Sequence, residues 1–114
     1  MRTVCTLAPP DKPVLYTSDG EYVRARLGPH TLGETVTILC EVVGGKPSPV
    51  VTWWRDMEMV DDTAEEITEY KVTNSLTISN LTRSDLHSLL TCQASNPCTN
   101  TPLITSARLD MTCK

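Results

Sequence analysis

Two cysteines, Cys40 and Cys92, each stand in phase with alternating apolar residues, and Trp53 follows the first by thirteen positions. In the run from Glu34 to Val42, Val36, Ile38, Cys40 and Val42 share one face, while Thr35, Thr37, Leu39 and Glu41 share the other. That two-residue period marks a half-buried strand. From Val50 to Met57 the alternation resumes, with Val51 and Trp53 inward and Thr52 and Trp54 outward. Further on, Leu90 and Cys92 point inward. Inward cysteines on well-separated strands, with an indole to cover the bridge between them, are what two facing sheets need. A disulfide closing so long a loop stabilises a small domain by roughly 4 kcal/mol in the chain-entropy model.

The remaining segments extend this pattern. Val14 to Tyr16 reads as a short strand, Ser18-Asp19-Gly20 as a turn, and Tyr22 to Leu27 as an edge segment ending in the turn-rich Gly28-Pro29-His30. Asp61 to Glu66 is acidic and weakly structured. Ile67 to Val72 and Leu76 to Leu81 read as a hairpin turning near Thr73-Asn74, with Leu76 and Ile78 on one face. Thr82 to Asp85 forms a tight polar turn in which the Asp85 carboxylate braces backbone N–H groups, and Asn96 to Pro102 is a loop. Ala107, Leu109 and Met111 face inward on a last strand. No segment sustains a helical apolar period, so the expected fold class is all-β, a two-sheet antiparallel sandwich. The proline-dense Leu7 to Pro13 sets the expected boundary: residues 1–11 as a connector from a preceding domain, 12–114 as the domain itself.

Composition excludes several functions. At 114 residues the chain suits one domain. Its net charge is -4, with basic residues scattered from Arg2 to Lys114, so no Lys/Arg cluster is offered to a phosphate backbone and nucleic acid is not an expected partner. No apolar run approaches the roughly 20 residues needed to cross a bilayer, so no direct membrane contact is expected. Five cysteines without a C-x-x-C pair favour disulfides over zinc or redox chemistry. Met1 to Val4 lacks the apolar core of a signal peptide, and the expectation is an excised piece of a longer secreted or membrane-anchored protein.

Together these residues resemble an immunoglobulin-type domain, and more narrowly one from the Sidestep group of neuronal surface receptors. The resemblance is carried by Cys40-Glu41-Val42-Val43-Gly44-Gly45-Lys46-Pro47, by Val51-Thr52-Trp53-Trp54-Arg55-Asp56, by Asp85-Leu86, by Leu90-Thr91-Cys92-Gln93-Ala94-Ser95-Asn96 and by Ser106 to Met111. It implies an immunoglobulin-like β-sandwich in second position in a string of such domains, on the extracellular side of a single-pass cell-surface receptor. It also implies cell-surface recognition in adhesion or axon guidance, with partners of the Beaten path type that are themselves immunoglobulin proteins. Family binding is expected mainly on a preceding domain, so a spacing role stands beside direct recognition. A structural domain of an intracellular filament protein is the alternative from another class. The chain departs from the pattern at Leu90, where a tyrosine corner would place Tyr, and at Cys5, Cys98 and Cys113.

Within such a fold the N-terminus and the loop after Cys92 share one end, which makes a Cys5–Cys98 bridge the expected second disulfide. Cys113 is then free or paired outside the domain. Trp54 faces outward, either as an anchor for a protein partner with Arg55 and Gln93 beside it, or half covered by its neighbours on the sheet. Asn80-Leu81-Thr82 is an N-glycosylation sequon, whereas Asn96-Pro97 and Asn100-Thr101-Pro102 fail the pattern. Asp61, Asp62, Glu65 and Glu66 lack the glycine turn and spacing of a calcium loop, and His30 and His87 have no nucleophile motif beside them. No enzyme activity, cofactor or metal is therefore expected.

Overall fold

The computed structural model describes residues 8–46, 48–68, 70–96, 99 and 101–111. Cys5, Cys98 and Cys113 lie outside the described residues, and so does the expected Cys5–Cys98 bridge. In chain order the strands are β1 (Ala8–Pro10), β2 (Val14–Thr17), β3 (Tyr22–Val23), β4 (Arg26–His30), β5 (Val36–Lys46), β6 (Val50–Arg55), β7 (Glu58–Asp61), β8 (Glu65–Thr68), β9 (Lys71–Ile78), β10 (Leu89–Ser95) and β11 (Leu103–Met111). One sheet runs β3-β2-β5-β9-β8 with β1 also paired to β5; the other runs β4-β11-β10-β6-β7. Every pairing is antiparallel except that of β4 with β11. The expected all-β two-sheet sandwich is present.

Between the sheets lies the core foreshadowed by the alternation. Ile38, Cys40, Val42, Trp53, Leu90, Cys92 and Leu109 have no exposed surface, and Val51 and Ala107 have 1% each. Cys40 and Cys92 are joined, with 6.4 Å between their Cα atoms. Trp53 lies opposite Cys92 in register. Its indole N–H donates to the carbonyl of Asn74, 2.8 Å away on the facing sheet, while the Asn74 amide donates to the Val51 carbonyl at 3.1 Å. Two reciprocal hydrogen bonds thus cross the sandwich beside the disulfide, in a buried core where an unmade bond is costly.

This corrects the hairpin expected at Thr73-Asn74. Val72, Asn74 and Leu76 are all buried along an unbroken β9 that pairs with β5 from Val36↔Ile78 to Val43↔Lys71. The chain reverses earlier, where Thr68 pairs with Lys71. Trp53 donates to the Asn74 carbonyl and Val51 accepts from its amide nitrogen across the core, which overrides the turn preference of Thr-Asn, although the buried Asn74 Oδ1 has no partner among the described residues.

The turn expected at Gly28-Pro29-His30 is likewise strand. These residues end β4, which has left the sheet of β2 and β3 and pairs with β11. Gly28 has a φ of 118°, and a Cβ there would lie 2.4 Å from the Asp110 carbonyl oxygen. Glycine is needed for that approach rather than for a turn. Ala8–Pro10, within the span read as a connector, pair with the far end of β5 at Lys46 and Gly44.

Candidate recognition face

Strand alternation sends the residues between the core positions of β6, β10 and β11 to the outer face of the five-stranded sheet. Trp54 stands opposite Thr91 on β10 and Met59 on β7; Thr52 stands opposite Gln93, and Gln93 opposite Ile104. Directly opposed side chains on one face lie about 5 Å apart, so register assembles four strands into one surface. Val50 is 64% exposed, Met59 51% and Ile104 49%. Trp54 is half-buried, and its indole N–H donates to the Thr52 hydroxyl at 2.9 Å. The ring is thereby held down along its own strand, with Gln93 half-buried one row away. Asp56 and Glu58 are exposed at the β7 edge, and Asp61 is half-buried there.

Arg55 is not part of that surface. It falls in the phase of Trp53, and its guanidinium forms an ion pair with Asp85 and donates to the Ser88 hydroxyl at 3.2 Å. Asp85 sits in the 3₁₀ turn Arg83–Asp85, where its other carboxylate oxygen accepts the Thr82 N–H at 2.7 Å. The backbone brace expected of Asp85 is therefore present, with Arg55 as a partner that spacing did not reveal. Burial alone would raise the Asp85 pKa; the Thr82 N–H and the Arg55 guanidinium outweigh it, and the net shift is downward.

The other candidates are dispersed. Asn80 is exposed just beyond β9 with a φ of 54°. His30 Nδ1 lies 3.1 Å from the Glu34 carboxylate, and His87 is exposed in the turn before β10. Glu34 also accepts the Thr31 N–H at 2.7 Å and the Thr31 hydroxyl at 2.9 Å. Those bonds, the backbone one foremost, hold its pKa at about 2. Asp61 accepts from Thr63, and among the described residues no group of three or more His, Cys, Asp or Glu is placed to hold a metal ion. Among them also, no helix is long and apolar enough to cross a membrane.

A sandwich of two sheets joined by a buried disulfide beside a buried tryptophan defines an immunoglobulin-type domain. The chain belongs to the immunoglobulin domain family, whose model matches residues 12–96, a class of domain that is typically non-enzymatic.

Among solved structures it is similar to the full ectodomain of mouse nectin-like molecule 4, with 20% identity over 90% of this chain and 34% of that one, TM-score 0.70. It is similar too to a two-domain fragment of Rst, with 21% identity over 91% of this chain and 50% of that one, TM-score 0.69. A titin I-band fragment shares 26% identity over 93% of this chain and 33% of that one, TM-score 0.60. The chain thus spans half or less of each of these structures. No curated protein matches it.

Proposed function

We propose that this domain is a protein-recognition module of an extracellular, single-pass cell-surface receptor of Sidestep-like type, acting in cell adhesion or axon guidance beside neighbouring immunoglobulin domains. The observation that carries this reading is the outer face of the β4-β11-β10-β6-β7 sheet, where Val50, Trp54, Met59 and Ile104 present apolar surface around Gln93. Core demand does not explain those side chains, because the interior is already filled by Trp53, the disulfide and the apolar residues around them. Exposed apolar side chains interspersed with Thr52, Thr91 and Gln93 on one face suit a protein partner. The partner proposed is an immunoglobulin protein of the Beaten path type, and the acidic β7 edge favours a basic rim on it. Trp54 is the anchor and Gln93 its polar neighbour, while Arg55 acts from beneath by fixing the turn that carries Asp85. The buried disulfide supports an oxidising, extracellular setting.

A binding assay between the purified domain and immunoglobulin-type ectodomains tests the proposal. Binding that Trp54→Ala weakens by about tenfold or more supports direct recognition. No binding by the intact domain overturns it and favours a spacer.

A further inference from the structure

We infer that Asn80 is an N-glycosylation site, and that its glycan stands at one pole of the sandwich, leaving the outer face of the five-stranded sheet open. Asn80-Leu81-Thr82 meets the acceptor pattern. Leu81 is 2% exposed while Asn80 is exposed, so adjacent residues of the sequon point opposite ways and the amide faces solvent. Asn80 takes the left-handed conformation, with a φ of 54°, that asparagine tolerates better than most residues. Beside it lies Gly33, where even an added Cβ would stop 3.9 Å short of Asn80 Oδ1. The backbone there is firm, because the Gly33 N–H donates to the Leu81 carbonyl at 2.8 Å and the Leu81 N–H to the Glu34 carbonyl at 2.9 Å. An oligosaccharide at this position has a fixed stem.

The donor class is a lipid-pyrophosphate-linked oligosaccharide. Asn80 Nδ2 attacks C1 of the reducing-end sugar and loses a proton. A C1–N bond forms as the C1–O bond breaks, and the lipid pyrophosphate leaves with the electron pair. No electron is gained or lost overall.

Asn80, just beyond β9, and Trp54, on β6, belong to opposite sheets. Asn80 follows β9 of the six-stranded sheet, at the pole where β5 begins with Val36, which pairs with Ile78. Trp54, by contrast, lies on the opposite sheet and outer face, in register with Thr91 and Met59. The glycan is therefore rooted on the sheet opposite the strip, at the pole where Thr82 and Asp85 reach Arg55.

This inference rests on the extracellular reading above. The full chain, translated behind a cleavable secretion leader in the presence of microsomes, tests it apart from that reading, since the leader supplies the compartment. The expected product carries one endoglycosidase-sensitive glycan, mapped to Asn80 by mass spectrometry. Asn80→Gln and Thr82→Ala abolish it, and Thr82→Ser retains it. A translocated, protease-protected chain with Asn80 unmodified overturns the inference, whatever the binding assay shows. For placement, acrylamide quenching of tryptophan emission reports on Trp54, because Trp53 is buried. Equal quenching of the glycosylated chain and Asn80→Gln is expected; clear protection by the glycan overturns the claim that it leaves the outer face open.

Discussion

Trp53 and Trp54 are neighbours in sequence and opposites in surroundings. The first has no exposed surface, lies opposite a disulfide cysteine and donates its indole N–H across the sandwich to Asn74. Its neighbour is half-buried on the outer face, and its N–H goes no further than Thr52 on the same strand. One step of a strand therefore separates a group that binds two sheets together from one that modifies a single surface. The difference teaches where mutation reads stability and where it reads recognition.

The largest effects should follow from breaking the inner side of the comparison. Trp53→Ala empties a core site and leaves the Asn74 carbonyl without its donor. A loss of about 3–5 kcal/mol in unfolding free energy is expected from denaturant titration. Reducing Cys40–Cys92, whose sequence separation is 52, should cost roughly 4 kcal/mol. Were either change to leave the unfolding midpoint unmoved, the two tryptophans would not differ in the way argued.

Asp85→Asn comes next. The carboxylate is buried and ties the Thr82 turn to Arg55; the amide removes the charge but keeps the shape. A cost of about 1.5–3 kcal/mol is expected, the range of a hydrogen bond to a charged group. Its pH signature has a definite sign. With the folded pKa below its ordinary value, the stabilisation is present above that value and disappears as pH falls through the folded one. Arg55→Lys should recover only part of the Arg55 contribution, since the guanidinium serves Asp85 and Ser88 together. Equal loss of partner binding by Arg55→Lys and Trp54→Ala, at unchanged stability, would return Arg55 to the recognition face.

Trp54→Ala sharpens the contrast from the other side. Unfolding free energy should fall by less than about 1 kcal/mol beyond the lost apolar area, because no core contact or cross-sheet hydrogen bond is removed. Partner affinity, measured on the same protein, should fall more than stability does. Were stability lost as with Trp53→Ala, Trp54 would be a structural residue and the strip would lose its anchor.

The two tryptophans also mark how far the sequence is legible. Period-two alternation placed Val36 to Val42, Val51, Trp53, Leu90, Cys92 and Ala107 to Met111, because each strand carries that information within itself. Asn74 was misread because Thr-Asn has the chemistry of a turn, although it stands in phase with Val72 and Leu76. Its hydrogen bonds come from Trp53 and Val51, more than twenty residues away. Gly28 to His30 was misread for a similar reason: the demand for glycine comes from the Asp110 carbonyl on β11. Arg55 could have been set apart from Trp54 by the same alternation that separated the two tryptophans. The strip formed by Val50, Met59 and Ile104 had no comparable signal, since cross-strand register is a property of pairs of strands and is absent from any one of them.

The smallest expected effect belongs to another outward group, Glu34. Its carboxylate is exposed, yet accepts the Thr31 N–H and hydroxyl and faces His30, and its pKa falls from 4.5 to about 2. A lowered folded pKa means that Glu34 stabilises the fold above pH 4.5 and loses that contribution as pH falls toward 2. Glu34→Gln should therefore lower the melting temperature slightly at neutral pH and converge with the unaltered protein at the acid end. Solvent screening keeps the gap small. Because the clasp joins residues 30 to 34 and crosses no sheet, the gap should stay well below that of Asp85→Asn at every pH. A gap as large as that of Asp85→Asn would show that a surface clasp can match a buried one, and the rule drawn from the two tryptophans would then fail for charged groups.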